Sequence, residues 1–542
     1  MQKILLIILL FIISTISIAQ DKEDDKKDDK KDDKKKKEKT YSEIIDDSYK
    51  TDEGLFKVHS KKDKFLYEIS SDLLGKEMLM VTRIAKTANG IGYGGQKINS
   101  QVLRWQKKHD KILLRIVSYE NVASDTLPIS KSVKNSNFEP VLYSFDIKTY
   151  NPSDSSVVID VAPLFKTDVK ALGFPQYRRK SLKITSLDKK RSFIESIKSF
   201  PINIEARSVM TYNSSEPPSL RNSQTISLEI NNSMLLLPEN KMQPRFRDQR
   251  VGFFSQSQTD YGLDEQKAKS TTYIRKWKLV PKDIEAYNRG ELVEPIKPII
   301  YYIDPSTPKK WRKYLKQGVD DWQVAFEAAG FKNAIIGKYP PTKEEDPDWT
   351  PEDARYSVMR YYASDIQNAY GPHTADPRTG EILESDIGWY HNVMNLLRNW
   401  YMIQTAAVNE TSRDVKFDDE VMGQLIRFVS AHEVGHTIGL QHNMGSSSAY
   451  PVDSLRSPSF TSSHGVAPSI MDYARFNYIA QPGDGVTNFY PMVGTYDIWA
   501  IKWGYTYFDG ESTKSEQKIL NEWIKSHSGD YEYWFGYSNG ID

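Results

Sequence analysis

The chain has 542 residues, room for two or three domains, and its 73 basic and 72 acidic side chains leave a formal net charge of +1. That balance gives no electrostatic case for a nucleic-acid partner. Cysteine is absent, which excludes disulfides, a lipid-anchored cysteine behind a leader, and a cysteine that blocks a metal in a latent form. Latency, where it exists, must use a carboxylate, a histidine or steric cover.

Met1-Gln2-Lys3 precedes an apolar run from Ile4 to Ile13, and Ser17-Ile18-Ala19 offers the small residues of a cleavage site. Residues 1–20 are therefore expected to be a secretory signal. The run is too short for a bilayer span, and no later run is long enough, so no membrane span is expected after signal cleavage. The expected location is secreted, periplasmic or at the cell surface. Residues 21–40 are almost wholly acidic or basic in small alternating blocks; they read as a solvated spacer, with surface tethering as the alternative.

Residues 41–201 alternate apolar and polar positions over short runs, such as Glu77 to Arg83, Val102 to Trp105 and Ile112 to Ile116. Turn-rich breaks at Thr87 to Gly95 and Asn151 to Ser155 separate such runs, which predicts one or two β-rich modules. Residues 202–290 read as a β-rich connection. No repeat and no chemical motif stands out in either stretch.

Residues 291–510 carry a different pattern. Ile299 to Ile303 predicts a buried strand. Ser306-Thr307-Pro308 then opens a helix with the stripe Trp311, Leu315, Val319, Trp322 and Phe326, closed by Gly330 and Phe331. Tyr356 to Ala363 predicts a strand, and Asp376-Pro377-Arg378-Thr379-Gly380 a turn leading to a returning strand, Glu381 to Ile387. Asp418-Asp419-Glu420 can open a helix whose buried stripe is Val421, Leu425, Phe428, His432 and His436.

The chemistry concentrates in His432-Glu433-Val434-Gly435-His436-Thr437-Ile438-Gly439-Leu440-Gln441-His442, which holds three of the nine histidines. Two histidines four apart stack on one helix face, where one ion can touch both. Gly439 permits a sharp left-handed break, so that His442 can swing back as a third ligand. His432, His436 and His442 are thus expected to bind one catalytic Zn2+, with a fourth position open. Glu433 projects beside the ion, where it can take a proton from the attacking water as general base. The other six histidines, His59, His109, His373, His391, His464 and His527, are isolated and read as structural or surface residues. Gly483-Asp484-Gly485 lacks a series of calcium ligands and reads as a turn.

After a Gly/Ser/Pro-rich stretch come Ser469-Ile470-Met471-Asp472-Tyr473. The two motifs together resemble the metzincin clan of zinc endopeptidases. The resemblance implies an α+β fold: β-rich amino-terminal modules, then a twisted sheet with an edge strand for substrate, a long zinc-binding helix, a methionine turn and a carboxy-terminal helix. It implies that Met471 is the methionine of that turn, packed beneath the imidazoles. Tyr473 matches the position where astacin-like and serralysin-like members carry a tyrosine, either ligating the ion at rest or donating to the oxyanion; simple packing is the competing role. The edge strand is expected within residues 370–387, and Asp497 to Tyr505 is expected as the closing helix. More narrowly, Met242-Gln243-Pro244-Arg245, Asp248 to Phe253 and Tyr496 to Ile501 resemble a bacterial group of large exported metzincin-like proteins with amino-terminal regions of unknown function. Asn443 departs from the well-characterised families, so none of their specificities transfers. Residues 511–542 end sooner than in such relatives, which leaves a partial chain as one reading.

The function expected from these residues is a secreted zinc endopeptidase acting on a protein or peptide substrate. The alternatives are a surface or binding protein with a structural, inactive metalloprotease-like domain, and a zinc hydrolase of non-peptide amides.

Overall fold

A computed structural model describes residues 39–263 and 267–537. The expected signal, residues 1–20, and nearly all of the charged spacer lie outside the described residues.

Period-two patterning in the amino-terminal half becomes a twelve-stranded antiparallel sheet. Its longest strands are Glu77–Thr87, Lys97–Lys108, Asn203–Ser214 and Thr225–Leu236. Buried aromatic side chains fill its larger core, where Trp105 meets Phe56, Tyr67 and Phe145 at ring-centroid distances of 5.6–6.2 Å. The boundary expected at residue 201 runs through this sheet. Thr225–Leu236 pairs on one side with Asn203–Ser214 and on the other with Glu77–Thr87, so the two stretches share one hydrogen-bonded layer. Alternation along a strand reports which faces are buried but not which strand lies beside it.

A second sheet follows in the order Ile335–Lys338, Ile299–Ile303, Ser357–Tyr362, Ile387–Tyr390, Ala369–Tyr370. The first four strands are parallel and the last is an antiparallel edge, with Ala369 opposite Trp389 and Tyr370 opposite Gly388. Two expectations shift here. The edge overlaps the expected stretch only at Tyr370. The returning strand expected over 381–387 splits, because Ile382–Glu384 pairs with Thr374–Ala375 whereas Ile387–Tyr390 joins the parallel layer.

The helix expected from Ser306 onward is two helices, Lys309–Asp320 and Gln323–Ala328. At the joint the Trp322 indole donates to the Ala431 carbonyl at 2.8 Å, and Ser430 donates its hydroxyl to the Leu315 carbonyl at 2.8 Å. Both bonds tie the first helical layer to the motif helix, Asp419–Thr437. Thr495–Tyr505 is the closing helix, and Val393–Thr405 and Thr513–Ser526 are helices the patterning did not single out. Among the described residues no helix is long and apolar enough to cross a membrane.

Candidate metal centre

The motif helix spans 19 residues, with Asp419 and Glu420 in its first turn, where they favour the positive end of the helix dipole. Leu425, Ile426, Phe428 and Val429 bury its inner face, which carries His432 and Glu433 into the core. The helix ends after Thr437, and its last carbonyls find partners far away in sequence. Trp277 donates its indole N–H to Thr437 O at 2.9 Å, and Tyr505 donates its hydroxyl to Ile438 O at 2.7 Å. These donors satisfy groups that a helix end would otherwise leave buried and unpaired.

Gly439 then turns the chain with φ at +104°. The returning segment adds to residues 252–254 as a short strand: Phe254 N donates to Gly439 O and Gln441 N to Gly252 O, each at 2.8 Å. This pairing aims His442 back at the helix. Its Nε2 lies 3.3 Å from His432 Nε2 and 3.1 Å from His436 Nε2. Two nitrogens held about 2.0–2.1 Å from one ion at a tetrahedral angle sit roughly 3.3–3.4 Å apart. The donor set therefore fits a tetrahedral metal.

Protonation agrees with the geometry. His432 Nδ1 lies 2.8 Å from Ile470 O, and His436 Nδ1 lies 2.9 Å from Leu440 O. Donation to those carbonyls places the ring proton on Nδ1 and leaves the Nε2 lone pair facing the centre. Burial, with His436 and His442 alongside, pushes the His432 pKa well below its usual value, so the ring stays neutral.

Glu433 is buried beside the triad, and burial pushes its carboxyl up to about 8, partly offset by the Gly371 backbone. Gly371 directly follows the edge strand, and a Cβ there would fall 2.4 Å from the Glu433 carbonyl. The edge strand thus runs hard against the motif helix at the residue with general-base potential. Met471 is fully buried, and its Sδ lies 2.2 Å from where a Cβ on Gly435 would stand, which puts the thioether against the helix between the two ligand positions. Tyr473, 42 % exposed, brings its ring within 4.6 Å of the His442 ring and 5.7 Å of the His432 ring. The Arg475 guanidinium lies 4.7 Å from the Tyr473 ring centre and 3.4 Å from that of Trp400.

Residues 414–542, which hold the triad, the buried Glu433 and the buried Met471, match a family described as Met-zincin. The carboxy-terminal region is metzincin-like. Residues 38–87 and 95–282 match two domains of unknown function, DUF5118 and DUF5117. The second of these crosses residue 201, as the large sheet does. No curated protein and no solved structure matches the chain. The family match and the triad together support a metalloprotease-type function.

In this metzincin-like region one residue that sequence reasoning passed over positions the turn. Asp497 is fully buried at the start of the closing helix; its Oδ1 accepts from Ser469 Oγ at 2.6 Å, and its Oδ2 accepts from Ile470 N at 2.7 Å and Gly494 N at 3.0 Å. Ile470 in turn supplies the carbonyl that orients His432. The signal was an acidic residue in the first turn of a helix, facing a glycine just before it. Asp497→Ala strands two backbone N–H groups and a hydroxyl, and is expected to cost about 2–5 kcal/mol of stability and weaken zinc binding tenfold or more. Urea unfolding of the metal-free protein and a competitive zinc titration measure the two effects.

Of the isolated histidines, His59 pairs with Glu68 at 3.0 Å, His391 with the Tyr361 hydroxyl at 2.7 Å, and His464 and His527 stack on Phe460 and Tyr533. His373 differs. Its ring sits 5.3 Å from Phe254, which is itself 5.9 Å from the His436 ring.

Proposed function

We propose that the protein is an exported zinc-dependent endopeptidase acting on extended protein or peptide segments. The observation that carries this reading is the convergence of three Nε2 atoms, with Glu433 buried on the motif helix directly after the first of those histidines. His432, His436 and His442 would hold the ion as neutral ligands. When bound, zinc supplies Lewis acidity, polarising the scissile carbonyl and making the attacking water more acidic. Glu433, ionised beside the cation, takes the proton of that water and passes it to the leaving amine. The Tyr473 hydroxyl donates to the oxygen that gains charge during attack. Substrate adds antiparallel to Ala369–Tyr370, which sets the scissile bond above the helix.

The test is cleavage of casein and a peptide library by the purified chain with one zinc bound. Activity should vanish with a chelator and return on zinc addition. Stoichiometric zinc without cleavage of any library peptide would instead support a binding protein with a structural centre.

A further inference from the structure

Beside the metal centre, on the His436 side, lies a group of cations that the fold does not neutralise. Four other arginines drawn into the fold are paired: Arg83 with Glu384, Arg245 with Glu516, Arg360 with Asp386 and Arg378 with Asp376. Arg275 is the contrast. Its guanidinium is largely buried, Nε has no hydrogen-bond partner, and among the described residues no carboxylate forms an ion pair with it. A protein retains an uncompensated buried charge at a cost, which is repaid when a ligand brings the opposite charge.

Two further groups share the place. Lys97 stands opposite Arg83 in the large sheet, and Arg83 reaches across to Thr374 at 3.0 Å, the residue after His373. Lys97 is exposed along its stem, but desolvation around its ammonium and the Arg275 and Arg83 guanidinium groups push it down to about 8; the acid facing it, Glu384, is already bound by Arg83 and Thr374. His373 has both ring nitrogens buried and without a hydrogen-bond partner.

Backbone pairing fixes the cluster next to the zinc site. Arg275 N donates to Phe254 O at 2.7 Å, and the Phe254 ring lies between His373 and His436. The Arg275 carbonyl lies against Gly439, at the turn that delivers His442. His373 sits on the same run of chain as the edge strand, three residues beyond Tyr370. A peptide laid along that edge therefore runs toward the cluster.

We infer that Arg275, Lys97 and His373 form a carboxylate-binding subsite of the substrate cleft, to which the amino-terminal sheet contributes Lys97. The subsite selects peptides bearing an acidic side chain, or a free carboxy terminus, at a fixed distance from the scissile bond. It deepens the endopeptidase reading and rests on it for the word substrate. The binding itself does not depend on turnover. Arg275 supplies a forked donor, Lys97 a second positive charge, and His373 a ring nitrogen without a partner.

The experiment uses the full chain carrying Glu433→Ala, loaded with zinc, and measures binding of fluorescent peptides by anisotropy. Each Asp or Glu peptide is paired with its Asn or Gln counterpart, and each free carboxy terminus with its amide. One of the two acid series should bind at least tenfold more tightly than its neutral partner, which identifies the source of the carboxylate. Lys97→Met and Arg275→Met should each cut that ratio severalfold, Arg275→Lys should restore part of it, and the distant Lys131→Met should leave it unchanged. Lys97→Met keeps the test open if Arg275→Met does not fold. Equal binding of acid and neutral partners, no binding of either, or a ratio that survives Lys97→Met overturns the subsite. Acid-selective binding by a zinc-loaded parent chain that cleaves nothing would sink the peptidase reading and leave the subsite standing.

Discussion

Glu433→Gln is expected to keep one zinc per chain while slowing peptide cleavage by about 10^2–10^4-fold. Glutamine preserves the size of the side chain and can still accept from the Gly371 backbone, so the edge strand should stay in place. What it lacks is a site for the water's proton. The loss should therefore fall on kcat, with KM changed little, because the group acts on the reacting atoms and not on the ground-state peptide. Metal analysis and steady-state kinetics on the same preparation separate the two quantities. Undiminished cleavage in this variant would assign the proton transfer to another group, and zinc loss would recast Glu433 as a positioning residue. The wild-type carboxyl is pushed up to about 8 by burial in the metal-free chain, so it enters the site protonated at neutral pH. A dication next to it favours the ionised form, so zinc uptake near pH 7 should release a proton from Glu433 that the Gln variant does not release.

How far the site could be read in advance depended on sequence distance. His432, Glu433, His436, Gly439 and His442 fall within eleven consecutive residues, and helix geometry converts that spacing directly into a shared face. Met471 and Tyr473 came from resemblance; the Met471 thioether packs on the motif helix at Gly435, and the Tyr473 ring lies 4.6 Å from the His442 ring. Groups that complete the surroundings come from far away: Trp277 and Tyr505 on the last helix carbonyls, Asp497 on the methionine turn, Lys97 from the other sheet. A single sequence contains no local pattern for such partners, because each is chosen by tertiary packing. His373 illustrates the limit. Treated as an isolated histidine, it differs from the other five only once Phe254 is seen to bridge it to His436.

The same limit shaped the fold. Strand patterning placed β-structure on both sides of residue 201, yet the pairing of Thr225–Leu236 with Glu77–Thr87 spans well over a hundred residues. The stripe from Trp311 to Phe326 looked continuous because the joint near Trp322 keeps the apolar side chains in phase across two helices. Trp322 spends its indole N–H on Ala431 O, a bond that periodicity does not encode.

Gly439→Ala is expected to disable the metal centre without touching a ligand. At φ +104° the backbone occupies a region that side chains avoid, and a Cβ there would stand 2.2 Å from the Arg275 carbonyl oxygen and 3.0 Å from the Phe253 ring. Backbone strain alone costs on the order of 1–3 kcal/mol, and the clash with the Arg275 carbonyl adds to it. Relief requires the turn to move away from residues 252–254, which breaks the two hydrogen bonds that aim His442. His432 and His436 stay on their helix, so two ligands remain and zinc affinity should fall at least 100-fold. His442→Ala should lose zinc to a similar degree through a different route. The separating measurement is the stability of the metal-free protein: Gly439→Ala lowers it by about 2–4 kcal/mol, whereas His442→Ala, which leaves the turn intact, lowers it much less. Equal apo-stability for the two variants would show that the Gly439 turn is not what holds the third imidazole in place.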